Sequence, residues 1–330
     1  MIPPLAPAQI GQAAEVLAAG GLVAMPTETV YGLAADADNA DAVRAIFAAK
    51  GRPADHPVIV HVAGAEALDA WASEVPAAAR TLAAAFWPGP LTMVLKRSSR
   101  AGDFVTGGQD TVGLRCPSHP WAHALIAAFA GASHKGVAAP SANSFGRISP
   151  TTAAHVRADL GEKPAGKVDL ILDGGACPVG IESTIVDLSG ESPRLLRHGS
   201  VTRAMLEATL GQAVPDAGAD APRASGRLKS HYAPRTPVEL VAPGELPARI
   251  NQLRGTRLAV LAPAASLLDA PAHVVKRLLA EASAEDYGRK LYAQLHELDA
   301  AGAELILITR SPDTPAWAAV NDRLERAAAR

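Results

Sequence analysis

Met25-Pro26-Thr27-Glu28-Thr29-Val30-Tyr31-Gly32-Leu33, with Lys50-Gly51-Arg52-Pro53 downstream, is the part of the chain whose reading sets the architecture. An apolar run from Leu22 to Met25 leads into a proline, which ends or edges a strand, and then into crowded polar residues before a glycine. The pattern predicts a strand that delivers hydroxyls and one carboxylate to a loop. Asn39 reads as the N-cap of a helix with Val43, Ile46 and Phe47 on one face and Gly51 as its stop. Lys50 and Arg52 then stand at a helix end. There they can simply answer the helix dipole, or they can hold a polyphosphate, arginine as a planar fork and lysine as a compact point charge. These residues alone leave both readings open.

Working outward, residues 8–19 read as an alanine-rich helix stopped by Gly20-Gly21, and 58–62 as a strand apolar on both faces except for His61. Helical stretches at 65–71 and 76–86 end at the rigid breaker Trp87-Pro88-Gly89-Pro90. Residues 91–96 and 111–116 alternate like strands. Arg115 closes the second, placing a fixed cation where open α/β sheets carry their sites. A helix is expected over 119–130. Cys116, His119 and His123 form a C-x2-H-x3-H cluster, but a structural zinc site wants a fourth ligand and Cys177 follows at no standard spacing.

Val137-Ala138-Ala139-Pro140-Ser141-Ala142-Asn143-Ser144 repeats the opening design, an apolar strand, a proline and then small polar residues, which suggests one shared crevice. Ser149-Pro150-Thr151-Thr152 is expected to cap a helix with proline at its first position, an end that attracts phosphate. Strands follow at 168–172, at 182–187 with hydroxyls at its start, and at 194–198 ending in cations, before a helix over 201–210. Beyond a Pro/Gly/Ala-rich stretch, strands at 238–241, 257–261 and 305–308 alternate with helices. The clearest is 284–300, with Ser283 as cap and Tyr287, Leu291, Leu295 and Leu298 on one stripe. That order predicts a small parallel sheet.

The 330 residues allow two domains, and the boundaries fall at 1–211, a linker at 212–236 carrying Ser230-His231-Tyr232-Ala233-Pro234, and 237–330. A net charge of −2 gives no global attraction to RNA or to an anionic membrane. No secretory signal or membrane span is visible, and two distant cysteines outside any C-x-x-C pair point to a reducing, cytoplasmic setting. No G-x-x-x-x-G-K-[ST], G-x-G-x-x-G, G-x-S-x-G or H-E-x-x-H motif is present. What remains is a crevice of hydroxyls, cations and one histidine, fit for a small polyanion and a small polar co-substrate.

Pro26 to Leu33, Lys50 to Pro53, Trp87-Pro88-Gly89-Pro90-Leu91-Thr92, Pro140 to Asn143, Glu182-Ser183-Thr184-Ile185-Val186-Asp187 and Arg197-His198-Gly199 resemble, in order, the signatures of the YrdC-type threonylcarbamoyl-AMP synthases. With the 230–234 cluster and the domain behind it, the chain resembles their longer two-domain form. The resemblance implies an α/β fold: a twisted mixed sheet with flanking helices and an open concave site, plus a small Rossmann-like C-terminal domain. It implies a reaction of L-threonine, bicarbonate or CO2, and ATP with Mg2+, giving threonylcarbamoyl-AMP and pyrophosphate. The product would pass to a transferase complex for N6-threonylcarbamoyladenosine in tRNA, with tRNA contact by this chain weak or indirect.

By motif, the resemblance gives Lys50 and Arg52 the catalytic charge. It gives Lys50, Arg52, His56, Ser141, Asn143, Ser149, Arg197 and Tyr232 to ATP, and Thr29, His61, Arg115 and Ser183 to L-threonine, with Arg115 on its carboxylate. No protein metal site is expected, since Mg2+ would ride on the phosphates. An RNA-binding module is the rival reading; it predicts RNA affinity without ATP or threonine, falling steeply with salt, and the balanced charge opposes it. Carbamoyl transfer in hydrogenase maturation would bring C-x-x-C zinc motifs, which are missing. A third reading makes 237–330 a docking module.

Overall fold

The computed structural model of the chain describes residues 2–218, 220–226, 230–266 and 271–329. Residues 219 and 227–229 of the expected linker lie outside the described residues. Two compact units emerge, one drawn from Met1–Phe145, Pro150–Pro178 and Glu182–Arg227, the other from Gly146–Ser149, Val179–Ile181 and Leu228–Arg330.

In the first unit, β1 (Val23–Met25), β2 (Gly32–Asp36), β3 (Val60–His61), β4 (Leu91–Lys96), β5 (Thr111–Arg115), β6 (Val137–Ala138), β7 (Leu170–Ile171), β8 (Thr184–Asp187) and β9 (Arg194–Arg197) form one sheet in the order β7-β1-β2-β6-β3-β5-β4-β8-β9. β1–β7, β3–β5 and β4–β8 run parallel and the remaining pairs antiparallel, so the sheet is mixed as expected. Strand alternation divides its residues between two cores. Val23, Met25 and Ala34 pack with Ile10, Leu17, Trp121 and Leu125 of the helices Pro7–Ala18 and Pro120–Ala130. Ala24, Leu33, Met93 and Leu114 turn to the other side, with Ile46 and Leu82 of the helices Ala40–Lys50 and Ala77–Phe86.

The helix that ends at Lys50 forms as its sequence requires. Asn39 Oδ1 accepts from the N–H groups of Asp41 (3.0 Å) and Ala42 (3.2 Å), Val43, Ile46 and Phe47 are buried, and Gly51 closes it in the left-handed region at φ 63°. Truncating Ile46, which is fully buried, would cost about 2–5 kcal/mol.

Three expectations change. The turn after Met25 folds straight back into β2, a strand hidden from sequence by its glycine and alanines. The helix expected to start at Ser149-Pro150 is Ala153–Asp159, and Thr152 is its cap, accepting from His155 N–H at 3.2 Å. The residues before it are held extended, with the Pro150 carbonyl taking the Tyr31 N–H (2.8 Å) and the Thr151 carbonyl that of Cys177 (3.0 Å). The strand expected over 58–62 keeps two residues, because Val58 donates to Val105 and Val62 to Arg115 outside the ladder.

The second unit holds β10 (Val238–Val241), β11 (Leu258–Ala262), β12 (Val274–Leu279) and β13 (Leu305–Thr309), all parallel, in the order β10-β13-β11-β12. Ser283 caps the helix Ala284–Asp299, and Tyr287, Leu291, Leu295 and Leu298 are buried on one stripe. β12 and the helix Ala318–Ala328 are additions to what the sequence showed.

Candidate active site

Lys50 is 4% exposed, and its ammonium donates to the carbonyls of Ser141 and Asn143. The loop returns the favour, with Phe145 N–H donating to the Lys50 carbonyl at 2.8 Å. Ser141 and Asn143 therefore meet Lys50 through main-chain oxygens, a contact that residue type does not encode. Burial, and then the neighbouring Arg52, push the Lys50 pKa well below the ordinary lysine range. Arg52 Nη2 donates to the Pro57 carbonyl at 2.8 Å and to Ser225 Oγ at 3.3 Å. His56 stacks edge-on against Phe145, with ring centres 5.4 Å apart, and partial burial beside Arg52 lowers its pKa.

Arg197 joins this group to the next. Its Nη1 donates to the Ser225 carbonyl (3.0 Å), its Nε to the Ser183 carbonyl (2.9 Å) and its Nη2 to Ser183 Oγ (3.1 Å). Ser183 Oγ also bonds Thr92 Oγ1 at 2.8 Å. Register brings the carboxyl ends of β3 and β5 level with the amino ends of β4 and β8. His61 pairs with Arg115, Leu114 with Met93, and Leu91 with Thr184.

His61 is 3% exposed, and Nδ1 has no hydrogen-bond partner among the described residues. Burial, then the adjacent Arg115 charge, push its pKa down to about 3, against a weaker opposing bond with the Ile59 backbone. The ring is neutral at neutral pH and offers an acceptor to a ligand O–H or N–H. Arg115 donates from Nε to the Gly89 carbonyl (3.4 Å), and its Nη2 lies 2.7 Å from Glu28 Oε1. Thr29 is fully buried, its hydroxyl 2.8 Å from that of Thr27, which in turn donates to the Val30 carbonyl at 2.6 Å. The turn between β1 and β2 thus reaches Arg115 through Glu28.

Ser149 and Tyr232 belong to the second unit. The Ser149 carbonyl lies 3.2 Å from His296 Nε2. Tyr232 sits at φ 60° with Tyr292 beside its ring and the Arg323 guanidinium 5.6 Å from its centre. Cys116 and His119 serve local roles, Cys116 Sγ meeting the Ala63 carbonyl and His119 Nδ1 accepting from Trp121 N–H at the start of Pro120–Ala130.

Known proteins are similar to this chain along nearly its whole length. A family described as telomere recombination matches residues 15–199, and one described as threonylcarbamoyl-AMP synthase, C-terminal domain, matches 201–329. The threonylcarbamoyl-AMP synthase of Bacillus subtilis is 39% identical, over 97% of this chain and 93% of its own. The chain belongs to the threonylcarbamoyl-AMP synthase family. The Pyrococcus abyssi member is 38% identical over 96% of this chain and 92% of its own. The crystal structure of P. abyssi Sua5 complexed with L-threonine superposes with a TM-score of 0.88 at 37% identity, covering 99% of this chain and 96% of that one.

Family membership makes the chain an enzyme of the nucleotidyltransferase type that forms threonylcarbamoyl-AMP for N6-threonylcarbamoyladenosine in tRNA. An RNA-binding module is not favoured. No helix among the described residues is long and apolar enough to cross a membrane. Three residues at the site were not singled out as contacts from sequence: Glu28, Thr92 and Ser225. The first two lie inside the stretches 26–33 and 87–92 that carry the family resemblance. Ser225 lies in the Pro/Gly/Ala-rich stretch, which carries no signal of its own.

Proposed function

We propose that Lys50, Arg52 and Arg197 hold the phosphates of ATP, with the 141–143 loop and His56 beside them, and that Arg115, His61, Thr29 and Ser183 hold L-threonine. What supports the reading is Ser183, assigned here to the amino acid, whose hydroxyl accepts from Arg197, assigned here to the nucleotide, so the two sets adjoin at that bond. For Ser149 and Tyr232 the assignment to ATP rests on resemblance alone.

The amine of threonine, once deprotonated, attacks the carbon of CO2, forming the C–N bond and, after loss of a second proton, a carbamate. A carbamate oxygen then attacks the α-phosphorus, and the bond from that phosphorus to the bridging oxygen breaks to release pyrophosphate. No protein nucleophile is needed. Lys50 and Arg52 contribute by positioning and by meeting charge that develops on the phosphates. Among the described residues no cluster of His, Cys, Asp or Glu could hold a metal, and Glu28 is already paired. This donor set fits a Mg2+ ion carried by phosphate oxygens, which would neutralise them. The buried, unpaired thiols of Cys116 and Cys177 support a cytoplasmic setting.

Pyrophosphate release from ATP, with threonine and bicarbonate each omitted in turn, tests the reading. All three should be required, and Arg52→Ala should abolish release while the fold persists. Release without threonine, or near-normal turnover of the variant, would overturn it.

A further inference from the structure

Arg115 is the one group proposed for the substrate carboxylate, and a single arginine recognises a carboxylate well only when its plane is fixed. Its surroundings show what fixes it. Arg115 Nε is tied to the Gly89 carbonyl at 3.4 Å, and Nη2 faces Glu28 Oε1 at 2.7 Å, with both side chains 5% exposed. The second Glu28 oxygen accepts from the Ser118 N–H at 3.1 Å, just beyond the end of β5. Among the described residues Arg115 Nη1 makes no hydrogen bond. Nε is committed to Gly89 by a hydrogen bond, the buried Nη2 meets Glu28 as an ion pair outside hydrogen-bond geometry, and the Nη1 end remains for a ligand.

We propose that Glu28 is a positioning residue for the amino-acid substrate. Its carboxylate holds Arg115 against the strand end by the ion pair at Nη2, so that Nη1 meets the carboxylate of L-threonine. The inference rests on the assignment of Arg115 to that carboxylate. Glu28 is suited to the task because both of its oxygens face donors, the guanidinium and a backbone N–H. Glutamine has the same size, yet in either orientation its NH2 would confront one of those donors. Aspartate, one methylene shorter, can reach only one. Glu28 also follows Thr27, whose hydroxyl bonds hold the turn, so its backbone has little freedom to compensate.

A competing effect has the opposite sign: removing the carboxylate leaves Arg115 with more uncompensated positive charge, which by itself would attract a substrate carboxylate more strongly. The donor-against-donor contact created by glutamine decides between them, because a displaced guanidinium cannot use its extra charge at short range.

The experiment compares binding of L-threonine and L-threoninol, which lacks the carboxylate, to the full chain by calorimetry. Glu28→Gln should weaken L-threonine by about tenfold or more, the scale of one charge-assisted hydrogen bond, and L-threoninol by less than about twofold. Glu28→Asp should fall between, and ATP affinity and thermal melting serve as controls on the fold. Equal losses for both ligands would mark a structural role and overturn the proposal, as would no loss or a tighter complex with L-threonine. Arg115→Gln separates the levels. If it fails to distinguish the two ligands, the carboxylate assignment falls and the positioning role with it. If it distinguishes them and Glu28→Gln does not, only the role of Glu28 falls.

Discussion

His61 turns burial into a measurable pH dependence. Its pKa in the folded chain lies near 3, against 6.5 for the free side chain, chiefly because the ring is enclosed and secondarily because Arg115 adjoins it. Between those values the unfolded chain binds a proton that the folded chain refuses, so stability is full above pH 6.5 and is lost as pH falls through the window. Each pH unit inside the window costs about 1.4 kcal/mol, so at pH 5 the loss from this residue is about 2 kcal/mol. His61→Gln removes the titration while keeping an amide that can bond the Ile59 backbone. Urea unfolding of both proteins at pH 7.5 and pH 5 provides the assay. His56 and His119, whose pKa values burial also lowers, remain in both proteins and cancel in the comparison. The wild type should lose about 2 kcal/mol more than the variant on acidification. Identical losses would show that His61 takes up its proton in the folded state without penalty, and that the ring is not sealed.

The Lys50 ammonium donates to the carbonyls of Ser141 and Asn143, and the proposal gives its remaining N–H to a phosphate. Lys50→Met should weaken ATP binding by roughly 10–100-fold, the equivalent of one charge-assisted bond, and leave L-threonine affinity within about twofold; calorimetry with each ligand separately decides, and unchanged ATP affinity would remove Lys50 from the nucleotide. The cysteines give a test of packing. Cys116 and Cys177 are 1% and 3% exposed, and burial pushes the Cys116 thiol up to about 12 and that of Cys177 higher still. Neither should react with a thiol reagent at pH 8 until the chain is unfolded, and rapid native labelling would contradict the described core.

What the sequence disclosed follows from how local each signal is. The helix Ala284–Asp299 was legible because its cap and its apolar stripe lie within one stretch, and Asn39 and Gly51 marked Ala40–Lys50 for the same reason. β2 was not, because Gly32-Leu33-Ala34-Ala35-Asp36 has almost no intrinsic strand preference and is fixed by pairing with β1 and β6. The helix start at Thr152 was displaced by bonds to Tyr31 and Cys177, neither of which is a neighbour in sequence. Motif order could name Lys50, Ser141 and Asn143 together. It could not say that the last two act on Lys50 through carbonyls, which every residue possesses.

The geometry of the site extends the same point to function. Each cation of the first unit's candidate site meets protein acceptors: Lys50 two carbonyls, Arg52 the Pro57 carbonyl and Ser225, Arg115 Gly89 and Glu28, Arg197 Ser183 and Ser225. A flexible cation must be ordered when a ligand arrives, at a cost of up to about 2 kcal/mol for a long side chain. Here that cost is met during folding. Affinity then depends on the acceptors as much as on the cations. Mutating a residue that never touches a substrate, such as Glu28, should therefore be felt by the ligand group facing the donor it holds, and by no other.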